Sequence, residues 1–279
     1  MSKTARLPVQ KNQEIELAIH TLGSEGQGIG RYEGYALFVE GALPGERALV
    51  RVIKTNASYG VGKLLRILEP SVDRVSPPCP VFGKCGGCTL QHLSYGAQLL
   101  FKETLVRDAL ERLGGFEAPR VLSTIGMEEP WRYRNKGAFP AGFAGEEGAL
   151  GFFAPRSHRI VPIEDCFIQD ERGVAAMRAV LQWARECGVP FYEEGAHKGI
   201  QRHVVTRTVQ SGQCVAVVVT TGPLPARERL IELLRTQVEG IASIVHNINR
   251  DRTNVITGGD YRTIWGEERL IETIAGQEF

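Results

Sequence analysis

Three cysteines fall within ten residues, in Cys79-Pro80-Val81-Phe82-Gly83-Lys84-Cys85-Gly86-Gly87-Cys88, at the spacing C-x5-C-x2-C. Gly83, Gly86 and Gly87 let the backbone curl so that three sulfurs can turn inward together. Pro77, Pro78 and Pro80 keep helix and central strand out of the approach to the loop. Such a loop is poor core material, so its cysteines need another role. The chain opens Met-Ser-Lys-Thr-Ala-Arg without an apolar h-region, which argues against export and hence against disulfides. A metal or cluster wants a fourth ligand. Cys166, in the polar turn after Pro162-Ile163, suits that role. Cys187 ends a helix-like run and Cys214 lies in an apolar strand, and both fit ordinary core positions. The expected ligand set is Cys79, Cys85, Cys88 and Cys166. One knuckle, one nearby cysteine and one distant cysteine favour an iron–sulfur cluster, with zinc as the alternative.

The 279 residues, 43% hydrophobic and 23% charged, suit about two folded domains. A net charge of +1 excludes a bulk polycation, so any nucleic-acid surface has to be local. No apolar run is long enough to span a membrane. Residues 1–10 are expected to form a loose leader. From Glu14, alternating Ile15, Leu17 and Ile19 predict a half-buried strand. The glycines of Leu22 to Arg31 do not keep the GxGxxG register of a nucleotide loop and are taken as a tight turn. Further short strands, up to about Leu68, predict a small OB-like β-barrel over 11–70. Arg31, Phe38, Arg47 and Lys54 are its candidate oligonucleotide contacts, against the alternative of an ordinary solvated surface.

Residues 71–279 predict a mixed α+β domain, with the cysteine loop at 71–93. Ser94 to Leu113 has a helical stripe and is expected to cover that loop. Trp131 to Lys136 interleaves cations with aromatics. If extended, Arg132, Arg134 and Lys136 share one face, opposite Trp131, Tyr133 and Asn135. With no acidic residue inside the run, Arg132, Tyr133, Arg134, Asn135 and Lys136 are candidates for RNA contact. Asp170 is expected to cap a helix ending at Gly188, and Pro225 to Gln237 to form another.

Cys79-Pro80-x4-Cys85-Gly86-Gly87-Cys88-x2-Gln91-His92, Tyr133-Arg134-Asn135-Lys136, Pro162-Ile163-x2-Cys166, Arg202-His203-Val204-Val205-x-Arg207 and Val245-His246-Asn247-Ile248-Asn249 together resemble the N-terminal two-thirds of the RNA uracil-5-methyltransferases. In detail the chain is similar to the 23S ribosomal-RNA branch, whose barrel is a TRAM domain. The resemblance implies a [4Fe–4S] cluster on Cys79, Cys85, Cys88 and Cys166. It also implies ribosomal RNA as partner, no DNA or membrane, a monomer and a cytoplasmic location. The family's doubly wound SAM domain is expected to be absent, leaving no catalytic residue and SAM only in a longer parent. The expectation is therefore a methyltransferase truncated ahead of its transfer site and inactive alone. The alternatives are a stand-alone RNA-binding Fe–S module, a tRNA uracil-5-methyltransferase fragment, and a zinc-binding RNA factor.

Overall fold

The computed structural model describes residues 7–279. The chain divides into two units, Met1–Gly83 with Cys88–Glu128, and Lys84–Gly87 with Glu129–Phe279.

In the first unit, β1 (Glu14–Leu22), β2 (Gly28–Tyr32), β3 (Tyr35–Glu40), β4 (Arg47–Thr55) and β5 (Tyr59–Glu69) close into a barrel, in the order β1-β2-β3-β5-β4. The period-2 alternation of the sequence sends Ile15, Leu17, Ile19, Leu37, Val39, Val50 and Val52 inward, where none is more than 5% exposed. Each such burial stabilises by roughly 1.5–3 kcal/mol. Closure also leaves no strand edge open. Within the expected leader, residues 1–6 lie outside the described residues. Val9, however, is buried in the barrel core, so 7–10 is not a loose segment. The expected glycine turn is partly strand: Gly28 and Gly30 belong to β2. A Cβ on Gly28 would stand 2.6 Å from the Ala42 carbonyl oxygen, so close packing inside the barrel, rather than a turn, is what demands glycine there.

Glu46 precedes β4 and is 1% exposed. It is held by the Arg74 guanidinium, whose Nη2 donates to it at 2.9 Å, and by the Leu43 amide at 2.8 Å. Burial alone would raise its pKa, but the bonds from Arg74, Leu43 and Ser71 outweigh that and hold it below its ordinary value. α1 (Tyr95–Asp108) starts at Ser94, whose hydroxyl accepts from the Ala97 amide, and runs into a π-helical turn at Ala109–Leu113. No residue of α1 is fully buried, and Leu113 is 88% exposed. The expected stripe is therefore only half-covered. Gln98 ties the helix to the Leu90 and Leu93 carbonyls.

The second unit is a seven-stranded sheet of β6 (Lys136–Ala144), β7 (Glu147–Phe153), β8 (Ile160–Pro162), β9 (Gln201–Thr208), β10 (Cys214–Thr220), β11 (Ile241–Ile248) and β12 (Asp260–Gly266), ordered β12-β11-β10-β9-β6-β7-β8. Its two helices are α2 (Glu171–Glu186) and α3 (Arg227–Gln237). A two-stranded ribbon, β13 (Thr273–Ile274) with β14 (Gln277–Glu278), follows. In this sheet β10 and β11 pair in parallel while the other neighbouring strands are antiparallel, and α3 supplies the crossover that parallel strands require. Asp170 caps α2 through the Arg172 amide, and Val174, Met177, Val180, Trp183 and Ala184 are buried. Gly188, at φ 62°, ends it as the spacing predicts. Cys214 is buried, its thiol pushed up to about 12 by burial first and by Asp170 second.

One part of the predicted fold is corrected. The domain was expected to carry a metal cluster, yet among the described residues no group of three or more His, Cys, Asp or Glu stands where it could hold a metal ion.

Candidate nucleic-acid interface

Residues 131–135 do not form the extended strand that their alternation implies. Arg132 takes φ 54°, a left-handed conformation that side chains disfavour. Its amide donates to the Phe167 carbonyl at 2.8 Å, and that of Arg134 to Ile168 at 2.9 Å. The turn carries Arg132 onto Asp165, with bonds of 2.8 and 2.7 Å. Arg132 also donates to the Cys166 carbonyl at 2.8 Å and lies over the Phe167 ring at 5.5 Å. Bonding to Asp165 holds the guanidinium above its ordinary pKa, and the same bond holds Asp165 below its own. The acidic partner absent from 131–136 thus comes from the turn before Cys166. Arg132 does not share a face with Arg134 and Lys136.

Tyr133, Arg134, Asn135 and Lys136 are all exposed. The Asn135 carbonyl accepts from the Thr208 amide at 2.8 Å, which fixes the run against the end of β9. There Lys136 pairs with Arg207, also exposed. Two like charges directly opposite on a ladder repel, unless an anion sits between them. Arg207 was visible in the sequence only as part of a motif. It joins the candidate surface because the register of β6 and β9 places it there.

On the barrel, strand register sorts the candidates. Arg31, Ala36 and Tyr59 form one row across β2, β3 and β5. Ile29, Phe38, Val61 and Lys54 form the next, continuing onto β4. On β2, β3 and β5 these residues alternate with the core residues and so face outward, and Lys54 joins them through the register shift between Val52 and Lys54. Phe38 and Tyr59 meet edge to face at 5.5 Å, leaving ring surface beside Arg31 and Lys54 in the two rows. Tyr59 is 42% exposed and was not singled out in the sequence. Arg47 stands apart: it bonds Glu16 at 2.9 Å and also Glu69.

The cysteines are divided between the units. Cys79 and Cys88 belong to the first, Cys85 and Cys166 to the second, and all four are half-buried. The Gly87 amide donates to Cys85 Sγ at 3.3 Å. His92, in the first unit, is 3% exposed, with neither ring nitrogen hydrogen-bonded and the Phe82 ring at 5.2 Å. Burial, helped by Arg74, lowers its pKa to about 4, so it is neutral at pH 7.

The TRAM domain family matches residues 8–65, which is the barrel. Over its full length the chain is 46% identical to a protein named an uncharacterized RNA methyltransferase in Halalkalibacterium halodurans, covering 61% of that protein. A namesake from Clostridium tetani is 44% identical, over 98% of this chain and 60% of its own length. Among solved structures, the tRNA (uracil-54, C5)-methyltransferase of Pyrococcus abyssi, in complex with S-adenosyl-L-homocysteine, superposes on 95% of this chain and 58% of its own, with TM-score 0.70 and 23% identity. The fold is thus one shared with a methyltransferase. The TRAM match covers the barrel, and these relatives are named RNA methyltransferases. The expectation of a fragment cut ahead of its catalytic domain is not shown by these matches, which run through 100% and 95% of this chain. Inactivity of the chain has no support either. The chain spans about three fifths of the length of the relatives it matches. No helix among the described residues is long and apolar enough to cross a membrane.

Proposed function

We propose that this chain acts in the SAM-dependent methylation of uridine C5 in RNA, and that its described residues bind the RNA. The observation that carries the reading is the exposed run Tyr133 to Lys136 with Arg207 opposite Lys136. Two adjacent cations, neither ion-paired among the described residues, and an aromatic ring suit a phosphate and a splayed base. The barrel rows with Arg31, Phe38, Tyr59 and Lys54 are the second contact surface. Ribosomal RNA, 23S in particular, is the proposed substrate, in keeping with the barrel over 11–70. Transfer RNA is the competing substrate, favoured by the name of the structural neighbour. A cytoplasmic monomer fits either. Ligand roles for Cys79, Cys85, Cys88 and Cys166 rest on their spacing alone, and metal analysis of anaerobically prepared protein decides them.

Mass spectrometry of RNA from cells with and without the gene tests the reading. Loss of 5-methyluridine from 23S RNA is the expected result. Loss from tRNA redirects the substrate, and unchanged 5-methyluridine in both overturns the reading.

A further inference from the structure

The second unit contains a cavity of about 240 Å³ that none of the candidate contacts lines. That is at the small end for ligand sites, room for about one ring system. Phe152, Phe153 and Tyr192 line it with aromatic rings, and Arg202, His203, Asn254 and the Glu194–His158 pair, 2.6 Å apart, are its polar members.

Arg202 is the unusual member. It is 3% exposed, yet among the described residues no carboxylate pairs with it. Its guanidinium donates only to main-chain carbonyls, those of Asn249 at 3.0 Å, Asp251 at 2.8 Å and Thr253 at 3.3 Å, and lies over the Tyr192 ring at 4.6 Å. Its Nε has no partner, nor does His203 Nδ1. A buried cation with an unused N–H is costly, and the cost falls when an acceptor arrives.

The loop 249–259 is built to stay in place. Asn249 Nδ2 donates to the Val255 and Ile256 carbonyls at 2.7 and 3.1 Å. Asn247 donates to Gly258 and Asp260 at 3.0 Å each, and accepts from the Gly258 amide at 2.8 Å. With Arg202, these side chains fix the main chain that presents Thr253 and Asn254 to the cavity. Rigid placement of a polar group beside aromatic wall is how single bases are held.

We propose that this cavity takes one unpaired RNA base, and that it prefers a base with a ring carbonyl, uracil, guanine or cytosine, over adenine. Arg202 offers its N–H to the carbonyl, Asn254 bonds the adjoining edge, and the Phe153 or Tyr192 ring meets its face. The inference rests on the RNA-binding reading above and adds a base-selective subsite to it.

The test uses the whole chain and fluorescently labelled single-stranded RNAs of equal length: uridine-rich, adenosine-rich, and uridine-rich with abasic positions. Anisotropy is followed against salt. The proposal expects the uridine-rich strand to bind at least roughly fivefold tighter than either of the others, one stack or base-edge contact being worth that much. Asn254→Ala, on an exposed loop position, should remove most of the difference and leave the salt slope unchanged. Phe153→Leu gives the same result by a second route, with thermal melting to confirm folding. Equal binding of all three strands overturns the subsite and leaves phosphate-driven RNA binding intact. No binding of any strand at low salt overturns both.

Discussion

Lys136 and Arg207 stand directly opposite one another across the β6–β9 ladder, and both side chains are exposed. Facing like charges cost a sheet some stability. The arrangement becomes favourable once a phosphate bridges the pair, because releasing the counterions of the nucleic acid drives association. Lys136→Ala and Arg207→Ala should each weaken RNA binding and flatten the log–log salt slope by about 0.7 for each true phosphate contact on a single strand. Without RNA, either variant should melt at the same temperature as wild type or slightly above it. A salt slope unchanged in the double variant would show the pair to be an ordinary solvated spot.

Arg132 behaves oppositely. Its charge is matched by Asp165 and its side chain ties the turn before Cys166 to the chain ahead of β6. Arg132→Ala should therefore lower stability by about 1 kcal/mol, the scale of a half-exposed charged pair, with the salt slope of RNA binding kept. A double-mutant cycle with Asp165→Asn checks it. A cycle energy near zero, together with a flattened slope, would return Arg132 to the RNA surface.

The contrast between these two arginines shows where sequence reasoning worked. Alternation in β1 and β4 was legible because one strand face is buried and every second residue must be apolar. The Asp170 cap and Gly188 stop were legible because capping is local chemistry. Arg132 and Arg207 were not, because each depends on a partner more than thirty residues away along the chain. The backbone at Arg132 leaves the extended region to reach Asp165. Arg207 meets Lys136 only through the register of a sheet whose strand order no local pattern encodes. The cysteine spacing was equally legible, yet among the described residues no group of three or more His, Cys, Asp or Glu could hold a metal ion.

Two histidines, His92 buried and His203 partly so, should shape the pH dependence of stability. Burial lowers His92 and His203 to about 4, from an ordinary value near 6.5. The unfolded chain then binds more protons between those values. Stability is full above about pH 6.5 and falls as pH drops toward 4. Each group contributes a loss on the order of 3 kcal/mol across that window. His203→Gln, which cannot titrate, should shrink the fall, as urea unfolding at pH 7.5 and at pH 4.5 would show. Glu46 is distinguishable because its pKa is lowered from the carboxylate value. Its stabilisation is lost only as pH falls below that range.

Glu46 and Arg74 provide a separate stability test. The carboxylate is fully buried and also holds the Leu43 amide. Arg74→Ala leaves that charge without its main partner and should cost about 3–5 kcal/mol, as for other broken buried pairs. Glu46→Gln keeps the shape and part of the hydrogen bonding, and should cost less. Equal, small losses in both would mean that water replaces the guanidinium.

The barrel surface allows a prediction that separates stacking from charge. Phe38 and Tyr59 form the edge-to-face pair of the outer rows, and Lys54 lies in register with Phe38 through Val61. A base that stacks on an aromatic ring loses about 1–3 kcal/mol when that ring is removed, with little change in salt dependence. Tyr59→Ala, at an exposed ring, should show that loss. Lys54→Ala should instead flatten the salt slope. Arg47→Ala serves as the control: its guanidinium already bonds Glu16 and Glu69, so RNA affinity should stay within twofold of wild type, about 0.4 kcal/mol. Were Arg47→Ala to weaken binding as much as Lys54→Ala, the RNA path would cross β4 near Glu16, and the outer rows of β2, β3 and β5 would no longer be its surface.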